Sequence, residues 1–208
     1  MQSPKKRLFR EKYHHQDDNN QIDIVIRRSF DQGRSWQPFQ LVHTGSNATH
    51  QVTIGQGTPV LDHHTGRLWL FMTRNNSELL ITSSDDHGAT FAPVKDIQSV
   101  KPRGYGWIAP SFSGTQLKSG RLAVCADHIV GQWTACKHDT CLTICQFCQV
   151  SAAVGMAADP ITHTISSVIT SDDHGASWQW QPAGSPDGAE MNECAVATLP
   201  NNTMVMNA

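Results

Sequence analysis

Apolar residues along this chain recur in short alternating runs rather than at helical spacing. Ile22-Asp23-Ile24-Val25-Ile26, Arg67-Leu68-Trp69-Leu70-Phe71-Met72, Glu78-Leu79-Leu80-Ile81-Thr82, Arg121-Leu122-Ala123-Val124 and Thr164-Ile165-Ser166-Ser167-Val168-Ile169 are each short and rich in β-branched or aromatic residues. That pattern predicts strands, and helical periodicity over ten or more residues is scarce. The turn-forming pairs Thr65-Gly66, Ser119-Gly120 and Asn201-Asn202 separate the runs, so the chain reads as a succession of hairpins of all-β class.

Three of the turns are copies of one another. Ser29-Phe30-Asp31-Gln32-Gly33-Arg34-Ser35-Trp36, Ser84-Asp85-Asp86-His87-Gly88-Ala89-Thr90-Phe91 and Ser171-Asp172-Asp173-His174-Gly175-Ala176-Ser177-Trp178 all follow S-x-D-x-G-x-[ST]-[WF], the Asp box. The pattern describes a stapled hairpin. Asp31, Asp86 and Asp173 can accept backbone N–H bonds across the turn, and Gly33, Gly88 and Gly175 can take a positive φ. Trp36, Phe91 and Trp178 can pack under the strands, while Ser and Thr hydroxyls add side-chain-to-backbone bonds. These are structural turns, and repeats of this size predict a radial or stacked architecture, because one hairpin sheet cannot bury both its faces alone. The first two boxes are about 55 positions apart and the last two about 87, against roughly 40 to 50 for a four-stranded blade. Either one blade lacks a box or the wider interval holds an insertion; the cysteine cluster and the scarce alternation over residues 132–160 favour an insertion there.

Composition narrows the ligand. Of 208 residues 38% are hydrophobic and 16% charged, with a formal net charge of −2. This lacks the basic excess of a nucleic-acid binder and the acidic bias of a disordered tail, so a small neutral or anionic ligand suits it better. No run reaches the roughly 20 apolar residues of a membrane-spanning helix, and no apolar stretch follows the opening Met1-Gln2-Ser3-Pro4-Lys5-Lys6. Cys125, Cys136, Cys141, Cys145 and Cys148 crowd one stretch, and Cys194 stands apart. With one C-x2-C pair and His138 nearby, zinc, disulfides and an uninformative insertion all stay open.

Beyond the boxes, the chain resembles the sialidase (neuraminidase) family. The resemblance lies in Ile22-Asp23-Ile24-Val25-Ile26-Arg27-Arg28-Ser29 leading into the first box, Pro59-Val60-Leu61-Asp62-His63-His64-Thr65-Gly66-Arg67-Leu68-Trp69-Leu70 before the second, Leu117-Lys118-Ser119-Gly120-Arg121-Leu122, and Met191-Asn192-Glu193-Cys194. It implies a six-bladed β-propeller that cleaves terminal sialic acid from glycoconjugates without metal or cofactor. Residues 1–208 then supply about four of the six blades. Oligomeric state and compartment are not implied.

The resemblance also implies residue roles. The position of the family's general acid and base, shortly before the first box, is held here by Asp18, with Asp17 its neighbour. Such a carboxyl must be protonated as the leaving alcohol departs and ionised as water attacks. Glu193, with Glu190 close by, matches the glutamate that takes the proton from a tyrosine nucleophile, since a neutral phenol is a poor nucleophile without a base beside it. Sialidases are a named exception to the carboxylate nucleophile of most retaining glycosidases. Trp107 and Ile108, in Gly104-Tyr105-Gly106-Trp107-Ile108-Ala109-Pro110, match a stretch lining the pocket for the sugar's acyl and glycerol groups; a packed blade-edge position is the alternative. The family's three carboxylate-binding arginines and its tyrosine are expected outside this chain: no F/Y-R-I-P motif is present, and neither Tyr13 nor Tyr105 has the nucleophile's context. A non-catalytic Asp-box propeller that binds glycan or protein is the other reading.

Overall fold

A computed structural model of the chain describes residues 21–46, 52–102, 105–130, 163–183, 191 and 193–208. Thirteen strands form four antiparallel sheets among them. β1 (Ile24–Ile26) pairs with β2 (Gln40–His43). The second sheet is β3 (Ile54–Leu61), β4 (Leu68–Arg74), β5 (Glu78–Ser84) and β6 (Lys95–Asp96), in chain order. β7 (Tyr105–Pro110), β8 (Thr115–Gln116), β9 (Leu122–Val130), β10 (His163–Ser171) and β11 (Gln179–Pro182) make the third, ordered β11-β10-β9-β7 with β8 also on β9. β12 (Ala195–Thr198) and β13 (Met204–Asn207) form the last hairpin. A single 3-10 turn, Gln98–Val100, is the one helical element among the described residues.

The sheets stack face to face in series, and strand alternation explains how. On β4, Leu70 and Met72 join Ile54 and Leu80 in a cluster that receives Ile24 and Val42 of the first sheet. Trp69 and Phe71, pointing the other way, join Leu79, Ile81 and Val60 and meet Ile108, Leu122, Val124, Ala126 and Ile169 of the third sheet. Cys125, on the opposite face of β9, packs with Cys194, Val196, Met204 and Met206 of the fourth. Inner strands covered on both faces read as near-continuous apolar runs rather than strict alternation. That is the origin of the Leu68–Met72 and Leu122–Ala126 segments. Each sheet thus relies on a neighbouring sheet to cover an apolar face, the physical requirement of a propeller blade.

The predicted strands all appear, with β9 and β10 longer than their sequence runs. β3 was hidden by Gly55, Gly57 and Pro59; its register shifts between Gly55 and Thr58 as Gln56 and Gly57 take φ of 75° and 40°. Such a bulge needs permissive residues, which lowers the strand signal in sequence. The predicted turns are present and carry left-handed residues, with φ of 77° at Gly66, 93° at Gly120 and 70° at Asn202. Val130 of β9 lies opposite His163 of β10, so residues 131–162 join two neighbouring strands of one sheet. The interval 132–160 and the cysteines from Cys136 to Cys148 lie outside the described residues.

Candidate functional site

The three boxes sit at one end of their sheets. In each, the first serine hydroxyl bonds the aspartate and receives the glycine N–H, at 2.8 and 2.7 Å for Ser29, 2.7 and 2.8 Å for Ser84, and 2.8 and 2.8 Å for Ser171. The later Ser or Thr hydroxyl donates to the other carboxylate oxygen at 2.6 Å in all three. Its backbone N–H donates to the same aspartate at 2.8, 2.8 and 2.9 Å. So hydroxyls supply as much of the staple as backbone does. These donors favour the ionised carboxylate. Bonds from Ser35 hold Asp31 down at a pKa of about 2. Those from Ser177 hold Asp173 at about 2, and those from Thr90 put Asp86 lower still. Gln32, His87 and His174, before the glycines, are also left-handed, at φ of 63°, 60° and 58°.

The aromatic that ends each box has different fates. Trp178 meets Phe71 edge-on at 4.7 Å between ring centroids and Trp69 at 5.9 Å, and Phe91 packs on the Ile54 cluster. Trp36 stays 52% exposed, which corrects the expectation that all three tuck under strands. The reason is local: no sheet among the described residues covers that side of β1 and β2.

Also at this end, Asp62, His64 and His174 bring three potential metal ligands within 4.8 Å of one another. The buried Asp62 is already saturated, however. Its Oδ1 accepts from the His64 amide and from Gln116 Nε2 at 2.9 and 2.8 Å; Oδ2 accepts from Thr65 Oγ1 at 2.8 Å and lies 2.8 Å from His174 Nδ1. Burial pushes the Asp62 pKa up, but the bonds from Thr65, Gln116, His64 and His174 outweigh it and hold the group well below the usual carboxylate range. A cation would have to displace one of these donors, so we read the group as a tie between the β3–β4 turn and the third box.

The opposite end of the stack carries the remaining candidates. β7 enters there with Tyr105 opposite Val130, and Trp107 lies on this stretch. Ile108 next to it is fully buried in the core between the second and third sheets, its N–H donating to Asn76 O at 2.9 Å. Glu193 is exposed at the same end and left-handed, with a φ of 56°. Its segment is anchored on two neighbouring strands: Met191 N–H donates to Thr164 O of β10 at 2.9 Å, and Cys194 N–H to Asp127 Oδ2 of β9 at 2.9 Å. β1 is also entered from this end, through the bridge between Ile22 and Thr53. Asp18 lies outside the described residues.

Charged groups collect at this end of the stack. Arg74 and Glu78 pair at 2.7 Å across the β4–β5 turn. Lys101 Nζ donates to Ser77 O at 2.6 Å, and its burial lowers its pKa. Burial, helped by Arg74, also lowers that of His43. Of the described arginines, Arg74 alone is at this end; Arg67 and Arg121 pair with Asp85 and Asp172 beside the boxes. Residue-by-residue reading overlooked Asp127 and Lys101. The available signal was Asp127-His128 closing an apolar strand, since charge on a strand covered on both faces needs a partner.

Comparison with known proteins gives a concordant picture. Residues 12–208 match the model of the BNR repeat-like domain. The chain is 27% identical over 206 residues to sialidase-3 of Mus musculus, an alignment covering 88% of this chain and 43% of that protein. Among solved structures, the Hadza microbial sialidase Hz136 superposes with a TM-score of 0.64 at 19% identity, over 86% of this chain and 34% of that one. The Trypanosoma rangeli sialidase in complex with 2,3-difluorosialic acid, a covalent intermediate, gives 0.62 at 15% identity, over 91% and 29%. The chain therefore spans less than half of the mouse relative and about a third of these structures, with the fold of part of a sialidase propeller.

Proposed function

The chain belongs to the BNR repeat-like domain family, and from that premise we propose that it is part of an exo-α-sialidase, a retaining glycoside hydrolase releasing terminal sialic acid from glycolipids, glycoproteins or oligosaccharides. The observation that carries this reading is the position of Glu193. It is exposed at the end of the stack opposite the three boxes, the end from which β7, with Trp107, and β1 are also entered.

In this reading Asp18 protonates the glycosidic oxygen as the aglycone leaves and then takes a proton from the attacking water. Glu193 removes the phenolic proton of a tyrosine supplied by the rest of the parent protein, which adds to the anomeric carbon. A phenolate nucleophile suits an anionic sugar, because a carboxylate there would be repelled by the substrate's own carboxylate. Trp107 contacts the sugar's acyl or glycerol group, and Ile108 holds that strand from the core side. Arg74 is engaged by Glu78, so arginines other than Arg74 bind the substrate carboxylate.

The test is release of a fluorogenic sialoside by the full-length gene product and by its Asp18→Ala and Glu193→Gln variants. Each variant should lose roughly 100-fold or more in kcat while keeping its thermal midpoint. Sialoside binding without turnover by the full-length protein would instead favour a non-catalytic glycan-binding propeller.

A further inference from the structure

Directly behind Glu193 lies a carboxylate that the proposed chemistry does not use. Asp127 is 2% exposed, near the site end of β9. Its Oδ1 accepts from Ser166 Oγ, the residue opposite it on β10, at 2.5 Å. Its Oδ2 accepts the N–H of Cys194 at 2.9 Å, across 67 positions of sequence. That N–H belongs to the peptide joining Glu193 to Cys194. Fixing its direction therefore constrains ψ of Glu193, which stands at φ 56° in the left-handed region that few non-glycine residues occupy.

The clip has a second half. Cys125 lies two residues before Asp127, so both point to the same face of β9. The Cys125 thiol meets that of Cys194, and both side chains are fully buried with Val196. The hydrogen bond to Cys125, burial and the nearby Asp127 raise the Cys194 pKa, so its thiol stays neutral and serves as an anchor rather than a nucleophile. One strand face thus grips Cys194 by side chain and by amide, while Thr164 O holds Met191 on the other side of Glu193. A packed apolar residue would fill the space of Asp127 without desolvating a carboxylate, but it would leave the Cys194 N–H without this acceptor.

We propose that Asp127 is a positioning residue: through the Cys194 amide it holds Glu193 in its left-handed conformation, aimed at the substrate-facing end of the propeller. This rests on the sialidase reading for what Glu193 does, and on geometry alone for how it is held. The test uses the full-length protein and its Asp127→Ala and Asp127→Asn variants, with two readouts. In the alanine variant, kcat per folded molecule should fall about tenfold or more with KM within about twofold, because the base is displaced while sugar contacts remain. Hydrogen exchange of the peptide carrying Cys194 should accelerate about tenfold relative to β9 and β10. Asparagine keeps an acceptor oxygen, so that variant should fall between alanine and wild type on both readouts. A merely structural Asp127 would lower the melting temperature and leave kcat, KM and relative exchange at wild-type values; that result overturns the proposal. If the alanine variant does not fold, wild-type kcat and exchange in the asparagine variant overturn it equally. Should the wild-type protein release no sialic acid, the sialidase reading falls, and the exchange series still decides whether Asp127 holds the segment.

Discussion

The first and third Asp boxes share a turn but not an environment. Asp31 and Asp173 each take the later serine hydroxyl at 2.6 Å, and Gly33 and Gly175 both stand at φ 85°. Yet Trp178 is wedged edge-on against Phe71, whereas Trp36 is 52% exposed. The difference separates two jobs that one motif can do. The hydrogen-bonded staple closes within eight residues and forms wherever the residues occur, while the aromatic contributes only where a neighbouring sheet meets it.

Substitution of the glycines should break the symmetry most. A Cβ at Gly175 would lie 2.2 Å from Trp69 Cε2 and 2.4 Å from Cζ2, inside a packed ring, whereas at Gly33 the nearest atom is Trp36 Cζ2 at 3.8 Å. Gly175→Ala should therefore cost about 3 kcal/mol or more, overpacking added to left-handed strain, and Gly33→Ala about 1 kcal/mol from the backbone alone. Thermal or urea melts of the two variants check this, and equal losses would show that Trp69 yields freely. Next in size, Trp178→Ala should cost about 3 kcal/mol and Trp36→Ala less than about 1 kcal/mol, as read from the same melts.

Acid should affect both boxes alike. The Ser35 and Ser177 hydrogen bonds hold Asp31 and Asp173 at about 2, below the ordinary aspartate range. Folded-state values below the unfolded ones mean stability that is fully present above about pH 4 to 5 and lost as pH falls toward 2. Melting midpoints should thus drop between about pH 4 and 2 through these carboxylates, on top of a decline that begins below about pH 7 because burial keeps His43 and His128 from protonating in the folded chain. Asp31→Asn and Asp173→Asn should flatten that drop by similar, small amounts, because the carboxylates lie near solvent and their bonds are screened. A much steeper acid slope from one box than the other would mean that tertiary contacts, not local donors, set these pKa values.

Much of this architecture was legible in the order of residues, for reasons that differ by element. β4, β5, β9 and β10 were visible as apolar runs because they are covered on both faces. β3 was not, since its bulge uses Gly55 and Gly57 and its ladder admits Pro59. In the candidate site, Glu193 was found only through its phrase with Asn192 and Cys194; nothing in its own neighbourhood distinguishes it from another exposed acid. Asp127 escaped notice because its partners, Ser166 and Cys194, are distant along the chain. Ile108 appeared as a pocket candidate, and its full burial between two sheets could be seen only in three dimensions.

What the sequence determined unaided is the staple: serine, aspartate, glycine and hydroxyl spaced so that each bond is made within a few residues, where little chain entropy opposes it. What tertiary structure alone decided is which aromatic finds a neighbouring sheet, and that a carboxylate on β9 meets the amide beside Glu193. Those contacts bring together segments tens of residues apart, so they exist only once the sheets have stacked and their faces have been closed to water.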